Sequence, residues 1–421
     1  MTIRWRNWSG LQTSYPRQML MPKDRNALVF AIQQHAKIRM VGAGHSFSPL
    51  VKTDDVLLSL DHLQGLIKAD PVTLTAEVWA GTRIQQLHTI FHPFQQALQN
   101  QGDIDSQSLA GAISTGTHGT GANLPCLSGL VKGFELITAQ GDVLKCDANQ
   151  NKEIFEAGRV ALGSFGVISK ITLQNRKSYK LKEHIRLCSV KDILEQMNTW
   201  KDQHRHIESF IFPYHDKALL KTLNETDELV QTKPAEWPSE DTLLTLCCEL
   251  TKLVPASVVT LQKLVSVFVK ESYQVNWSAH VFPSVRNTKF NEMEYQLPID
   301  KGIQCLEEII AQFRKKHLPA FFPIEVRYVK GDDIWLSPFY QQDSLSISIH
   351  QYAKQDCRKI FAEIEPIFWR YGGRPHWGKI HSLKAYDLVD LYPKWKEFNQ
   401  LREKLDPQQK FLNPYLKELL I

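Results

Sequence analysis

An α+β fold in two domains is what this chain of 421 residues predicts, and three observations predict it. The length exceeds what one hydrophobic core usually serves. Up to about Arg176, short β-rich runs alternate irregularly with only two helical stretches, unlike a regular βαβ series. After Arg176 the texture changes to lysine-rich strands with helical periodicity between them. The expected division is therefore 1–176 for the first domain and 177–370 for the second.

The elements follow in order. Arg25 to Lys37 reads as a helix, and Lys37 to Val41 as a short strand that delivers the chain into Gly42-Ala43-Gly44-His45-Ser46-Phe47-Ser48. Val56–Leu60 and Thr73–Val78 read as strands, Arg83–Leu98 as a helix, then Gly133–Thr138 and Val167–Leu173 as strands. Between them, Ser108 to Gly121 is dense in small and hydroxyl residues and has neither helical nor strand period. In the second half, Lys191–His204 and Ile299–Lys316 read as helices. Asn224–Glu240, with Pro234 and Pro238, reads as a long loop. Val258, Leu261, Leu264, Val265 and Phe268 recur at helical spacing within Val254–Val269, which predicts a core-facing helix rather than a membrane-surface one.

The two glycine-rich loops carry the first chemical signal. Glycines permit positive φ and let backbone N–H groups approach a phosphate without a Cβ in the way. A dinucleotide-binding fingerprint is the obvious rival, since Gly42, Gly44 and Asp61 fall where it needs them. It fails because Phe47 replaces the third small residue and Pro49 sits where its helix should run. His45 adds what a phosphate loop does not require, a side-chain nucleophile facing whatever the loop holds.

Two later strands carry the second signal. In Phe321–Val329, period two puts Glu325 and Arg327 on one face and Ile324, Val326 and Tyr328 on the other. In Asp343–Tyr352, Ser346, Ser348, His350 and Tyr352 share a face opposite Leu345, Ile347 and Ile349. From the pattern alone, Glu325 and Arg327 can be an exposed ion pair, and the face of Ser346, Ser348, His350 and Tyr352 is either solvated or the wall of a sugar pocket. His88 and His92 sit four apart on a helix, but no third ligand is evident, so no metal site is assigned.

With both loops in view, the chain resembles the FAD domain of the vanillyl-alcohol-oxidase superfamily. The resemblance rests on the Gly42–Ser48 loop, Gly102 to Gly111, Ser114 to Gly121, and Leu162 to Ile168. Within it the similarity is to the aldonolactone and alditol oxidases, through Arg374-Pro375-His376-Trp377-Gly378-Lys379 and Phe411-Leu412-Asn413-Pro414-Tyr415-Leu416. Matches are sparse between about 180 and 320.

The resemblance implies a PCMH-type FAD-binding domain of two subdomains over 1–176 and an α+β substrate-binding cap over 177–370. It also implies that 371–421 returns to the FAD domain. It implies FAD held by Gly42, Ala43, Gly44, His45, Ser46, Ser48, Gly102, Asp103, Ser108, Gly111, Ser114, Gly116, Thr117, His118, Gly119, Gly166, Val167, Ile168 and Lys379, with His45 as the covalent 8α-histidyl attachment point. Ser108, Glu325, Arg327 and His350 become substrate-binding residues, and Glu325, Arg327, His350 and Lys379 catalytic ones. Lys379 would stabilise the anionic reduced ring, while His376 positions its loop. Which group is the base stays open. The activity implied is oxidation of a sugar lactone or polyol, with O2 or another electron acceptor. A nicotinamide-dependent reductase and a flavin-retaining, non-catalytic carbohydrate-binding protein are the readings from other classes.

Composition narrows the rest. A net charge of +5 and a longest basic run of Arg314-Lys315-Lys316-His317 argue against nucleic acid. Seven scattered cysteines without metal spacing suit a reducing cytosol. No apolar run reaches the length of a membrane span, so a cytoplasmic protein is expected, with peripheral membrane association left open.

Overall fold

The computed structural model describes residues 3–233, 240–268, 271–284 and 286–421. Its strands form three principal sheets. The first is parallel and small: Val56–Ser59 lies between Gln18–Leu20 and Ile38–Val41. The helix Arg25–Gln34 supplies the crossover, capped by the Asp24 carboxylate on Ala27 N at 2.8 Å, and buries Leu28, Ala31 and Ile32 inward. The second sheet is antiparallel and five-stranded, built from segments between Leu66 and Gln174.

Contacts from the C-terminal segment tie these sheets together. The buried Arg39 guanidinium donates to the carbonyls of Leu50, Leu162 and Phe411. Lys410 Nζ reaches Ile32 O and Ala139 O at 2.7 and 2.8 Å. Asn413 Nδ2 donates to Pro49 O and Lys52 O while its Oδ1 caps the helix Pro414–Leu420.

The third sheet is antiparallel and eight-stranded. Across it run Ser272–Trp277, Lys180–Ser189, Lys217–Thr226, His206–Ile211, Ile324–Val329, Ser344–Tyr352, Phe290–Pro298 and Arg374–Pro375. Helices Val190–Trp200, Gly302–Lys316 and Arg358–Arg370 cover one face. Tyr328 points to that side, its hydroxyl donating to Asn198 Oδ1 at 2.8 Å. Alternation therefore turns Glu325 and Arg327 to the opposite face, where His118 from the second glycine-rich loop meets Glu294 of Phe290–Pro298 at 2.6 Å.

Several expected elements are shorter or differently placed. The Arg83–Leu98 helix stops at Phe91, because Pro93 cannot donate to it and Gln95 turns left-handed at φ +53°. Ser108–Gly121, expected without a period, contains a short helix, Leu109–Ser114, held by burial of Leu109, Ala112 and Ile113. Asn224 to Thr226 belong to a strand rather than a loop, and Asn224 Oδ1 accepts from Arg205 N. Pro234 and Pro238 lie outside the described residues. In the helix Val258–Phe268, Val258 and Gln262 are buried but Leu264 is exposed, so the inward face is narrower than expected. The side chains of Val265 and Phe268, and all of Val269, lie outside the described residues.

Candidate active site

The two glycine-rich loops close on one another. A Cβ built on Gly42 would meet Ser108 Oγ at 2.0 Å, so only glycine allows the approach, and Gly44 holds φ at +70°. A cavity lies between them, lined by Gly42, Ala43, Gly44, His45 and Ser46, by Ser108, Gly111 and Ser114, and by Gly166, Val167 and Ile168. Gln107 also lines it, and its buried Oε1 has no protein donor. A glycine-rich lining that leaves room for a ligand against the backbone, plus an unmatched acceptor, fits a nucleotide-bearing ring cofactor such as FAD.

Ser48, Gly102, Asp103, Gly116, Thr117, His118, Gly119 and Lys379 lie apart from that lining. Ser48 Oγ instead donates to Trp377 O at 2.9 Å. Asp103 pairs with Arg286 at 3.1 Å. Glycine at 102 and 119 lets the chain pass under the carbonyls of His118 and Gln101. Gly116 turns at φ +74° against Pro338. Thr117 Oγ1 is buried without a partner.

His45 is half-buried, stacked on Trp8 at 5.6 Å between ring centroids, with Nε2 2.8 Å from Ser106 Oγ. Burial, then the charges of Lys379 and Arg83, push its pKa down to about 4. The imidazole is therefore neutral at pH 7 and keeps a lone pair. Ser106 was not singled out in the sequence, because its role depends on a loop-to-loop contact.

The Gly378 loop brings the second cluster to this histidine: Phe47 N donates to Gly378 O at 2.7 Å. Lys379 pairs with Glu292 and lies 3.8 Å from Glu294. Arg327 Nη2 donates to Glu294 Oε2 at 3.0 Å, and Arg327 Nε lies 3.6 Å from Glu325 without a hydrogen-bond partner. His350 Nε2 is 3.5 Å from Glu292 and 3.9 Å from Glu325. Ser346 and Ser348 donate to Glu294 at 3.0 and 2.9 Å. The polar strand faces are thus buried, with Glu325 and Arg327 both at 8% exposure. His376 is also buried, and its Nδ1 accepts from Gly378 N at 3.0 Å.

Glu292 and Glu294 were missed in the sequence, although Glu292, Glu294 and Gln296 alternate with Met293, Tyr295 and Leu297 as plainly as the neighbouring strands do. Burial alone would raise Glu292, but Lys379 and His350 outweigh it and hold the carboxyl at about 2. Burial of Glu294 is likewise outweighed, by His118 and Arg327, and its carboxyl stays well below the usual range. Burial opposes the Arg327 charge, yet Glu325 and Glu294 raise its pKa further. The cluster therefore holds carboxylates and cations side by side, suited to gripping several hydroxyl groups.

The D-arabinono-1,4-lactone oxidase family matches residues 171–419, and the FAD binding domain family matches 23–147. The L-gulono-1,4-lactone dehydrogenase of Mycobacterium tuberculosis is 36% identical over 99% of both chains. The chain belongs to the D-arabinono-1,4-lactone oxidase family. The L-gulonolactone oxidase of Scyliorhinus torazame is 31% identical over 99% of this chain and 98% of its own. The alditol oxidase of a Streptomyces species is 26% identical over 98% of both. Cholesterol oxidase from B. sterolicum shares the fold, with a TM-score of 0.82 at 16% identity over 100% of this chain and 97% of that one. The enzyme is an FAD-linked oxidoreductase with an FAD-binding domain and an aldonolactone-oxidase-type substrate domain.

His88 and His92 stand clear of this machinery. His280 packs edge-on against His88 at 4.5 Å, and among the described residues no metal-ligand group forms there. No described helix is long and apolar enough to cross a membrane.

Proposed function

We propose that the enzyme oxidises the hydroxyl-bearing carbon of an aldono-1,4-lactone of the gulono- or arabinono- type, with O2 or another acceptor re-oxidising the cofactor. The reading is supported by one observation above the rest: the loop carrying Lys379 is hydrogen-bonded to the loop carrying His45. The reading divides the chain into an FAD domain (1–176), a cap (177–370) and a returning segment (371–421), and places it in the cytoplasm.

Bound FAD supplies the hydride acceptor. The glycine-rich loops would hold the cofactor, and His45, with its neutral imidazole positioned by Ser106 through Nε2 at 2.8 Å, would carry the covalent bond through a ring nitrogen. Ser108, Glu325, Arg327 and His350 bind the substrate hydroxyls. Lys379, anchored by Glu292, puts a fixed positive charge where negative charge develops on reduction.

An anaerobic bleaching screen over aldonolactones and alditols tests the reading, followed by admission of air. Rapid bleaching by aldonolactones is expected. Bleaching by open-chain alditols alone would move the assignment to the alditol oxidase side of the family, as the Streptomyces relative suggests. Acid precipitation tests the tether separately. The wild-type precipitate should stay yellow, whereas His45→Ala should release its colour to the supernatant. An unmodified His45 peptide in cofactor-saturated wild-type protein would rule out the covalent bond.

A further inference from the structure

Alcohol oxidation sends a hydride to the cofactor and leaves one hydroxyl proton in the pocket. There Arg327 and Lys379 are already cationic, and Glu292 and Glu294 are committed to ion pairs. A row of charged side chains leads away from this cluster. On the sheet, Glu208 of His206–Ile211 lies directly opposite Arg327 on one side and Lys221 on the other. Glu208 is 2% exposed, and its Oε1 is 2.8 Å from Lys221 Nζ. Lys221 lies 3.6 Å from Glu183, which pairs with Lys233 at 2.7 Å, and the Lys233 side chain is 31% exposed. The row thus runs across the strands from the substrate pocket to solvent.

We propose that Glu208 is the proton-relay residue of the substrate pocket, a role that rests on the oxidase reading above. The substrate O–H bond breaks and its electron pair forms the carbonyl as the hydride departs. The proton bonds first to the Glu325 carboxylate, the diagonal neighbour of Glu208 across the strand pair, then to the Glu208 carboxylate, which holds it as a neutral carboxyl while Lys221 stays an ammonium. Glu208 acts behind the residues that touch substrate, and Glu325 is the group in contact.

The electrostatics around Glu208 agree. Burial raises its pKa, Lys221 lowers it, and Asp103 and Glu325 raise it again, leaving a carboxyl that titrates at about 7. Arg327 from the facing strand, Arg286 beside Asp103, Glu183 beyond Lys221, and His206 on its own strand complete the titratable and charged surroundings. A proton acceptor poised near neutrality takes and releases protons with little bias.

The test is the anaerobic rate of flavin reduction as a function of pH, measured on holoenzyme with the aldonolactone that bleaches it. In the wild type the rate should rise with pH through about 7, as Glu208 ionises. Glu208→Gln should lose that limb and slow at least tenfold at pH 8, at unchanged flavin content, whereas Glu208→Asp should keep the limb. Lys221→Met removes the cation that favours the ionised form, so its limb should move to higher pH; this variant decides if Glu208→Gln does not fold. An unaltered limb in Glu208→Gln, or an unmoved one in Lys221→Met, overturns the relay alone. Wild-type enzyme left unbleached by every aldonolactone and alditol overturns the parent reading, and the relay with it.

Discussion

Arg327→Lys is expected to lower kcat/KM by about a hundredfold while leaving the flavin content unchanged. The arginine is held from one side: Nη2 donates to Glu294 at 3.0 Å, while Nε is buried without a hydrogen-bond partner. Glu325 stands 3.6 Å from that second edge, beyond hydrogen-bond reach, so a substrate oxygen is its natural acceptor. A lysine can keep the attraction to Glu294, but its ammonium is a single point and cannot bond in two directions at fixed geometry. The charge stays, so the fold and the FAD domain should be undisturbed. Steady-state kinetics with an aldonolactone, normalised to flavin absorbance, measure the effect. A change smaller than threefold would remove Arg327 from the substrate site.

The same arginine shows how far the sequence could be read. Period two assigned Glu325 and Arg327 to one face and Tyr328 to the other, and both assignments match the structure. What the pattern left open was whether that face met water or a pocket, because alternation reports sidedness and not what packs against the side. The structure buries the face: His118, in a loop some two hundred residues earlier, reaches Glu294 at 2.6 Å. The partners of the face were harder still. Glu208, Lys221 and Arg286 carry no local signature, and they join the site only through strand order, which places His206–Ile211 next to Ile324–Val329 although more than a hundred residues separate them. The glycine-rich loops were legible for the opposite reason. A close approach to the Ser108 side chain demands glycine at 42 and a positive φ favours it at 44, and those requirements are written into the local sequence.

Glu294 should be the most costly single position in the eight-stranded sheet, although nothing in the local sequence marks it above Glu292. Its carboxylate accepts from Arg327, Ser346, Ser348 and Gln296, and meets His118, with almost no exposure to water. Replacement by alanine removes the hydrogen-bonded carboxylate partner of Arg327, leaving only Glu325 at 3.6 Å, and leaves two buried hydroxyls without their acceptor. Breaking a buried pair from one side costs roughly 3–5 kcal/mol, against roughly 1 kcal/mol for losing one neutral hydrogen bond in Ser346→Ala. Denaturant midpoints of the two variants should therefore separate clearly. A similar loss in both would show that Glu294 is solvated after all.

The pH dependence gives an independent check. The folded pKa of Glu294 lies well below the ordinary value of 4.5, and that of Glu292 at about 2. For such depressed groups, stability is fully present above pH 4.5 and disappears as pH falls toward the folded values. Wild-type enzyme should lose stability steeply below about pH 4.5. Glu294→Gln, which cannot titrate, should be less stable at pH 7 and show a shallower acid limb. Parallel acid limbs in the two proteins would mean that the carboxylate carries no more charge stabilisation in the folded state than in the unfolded chain.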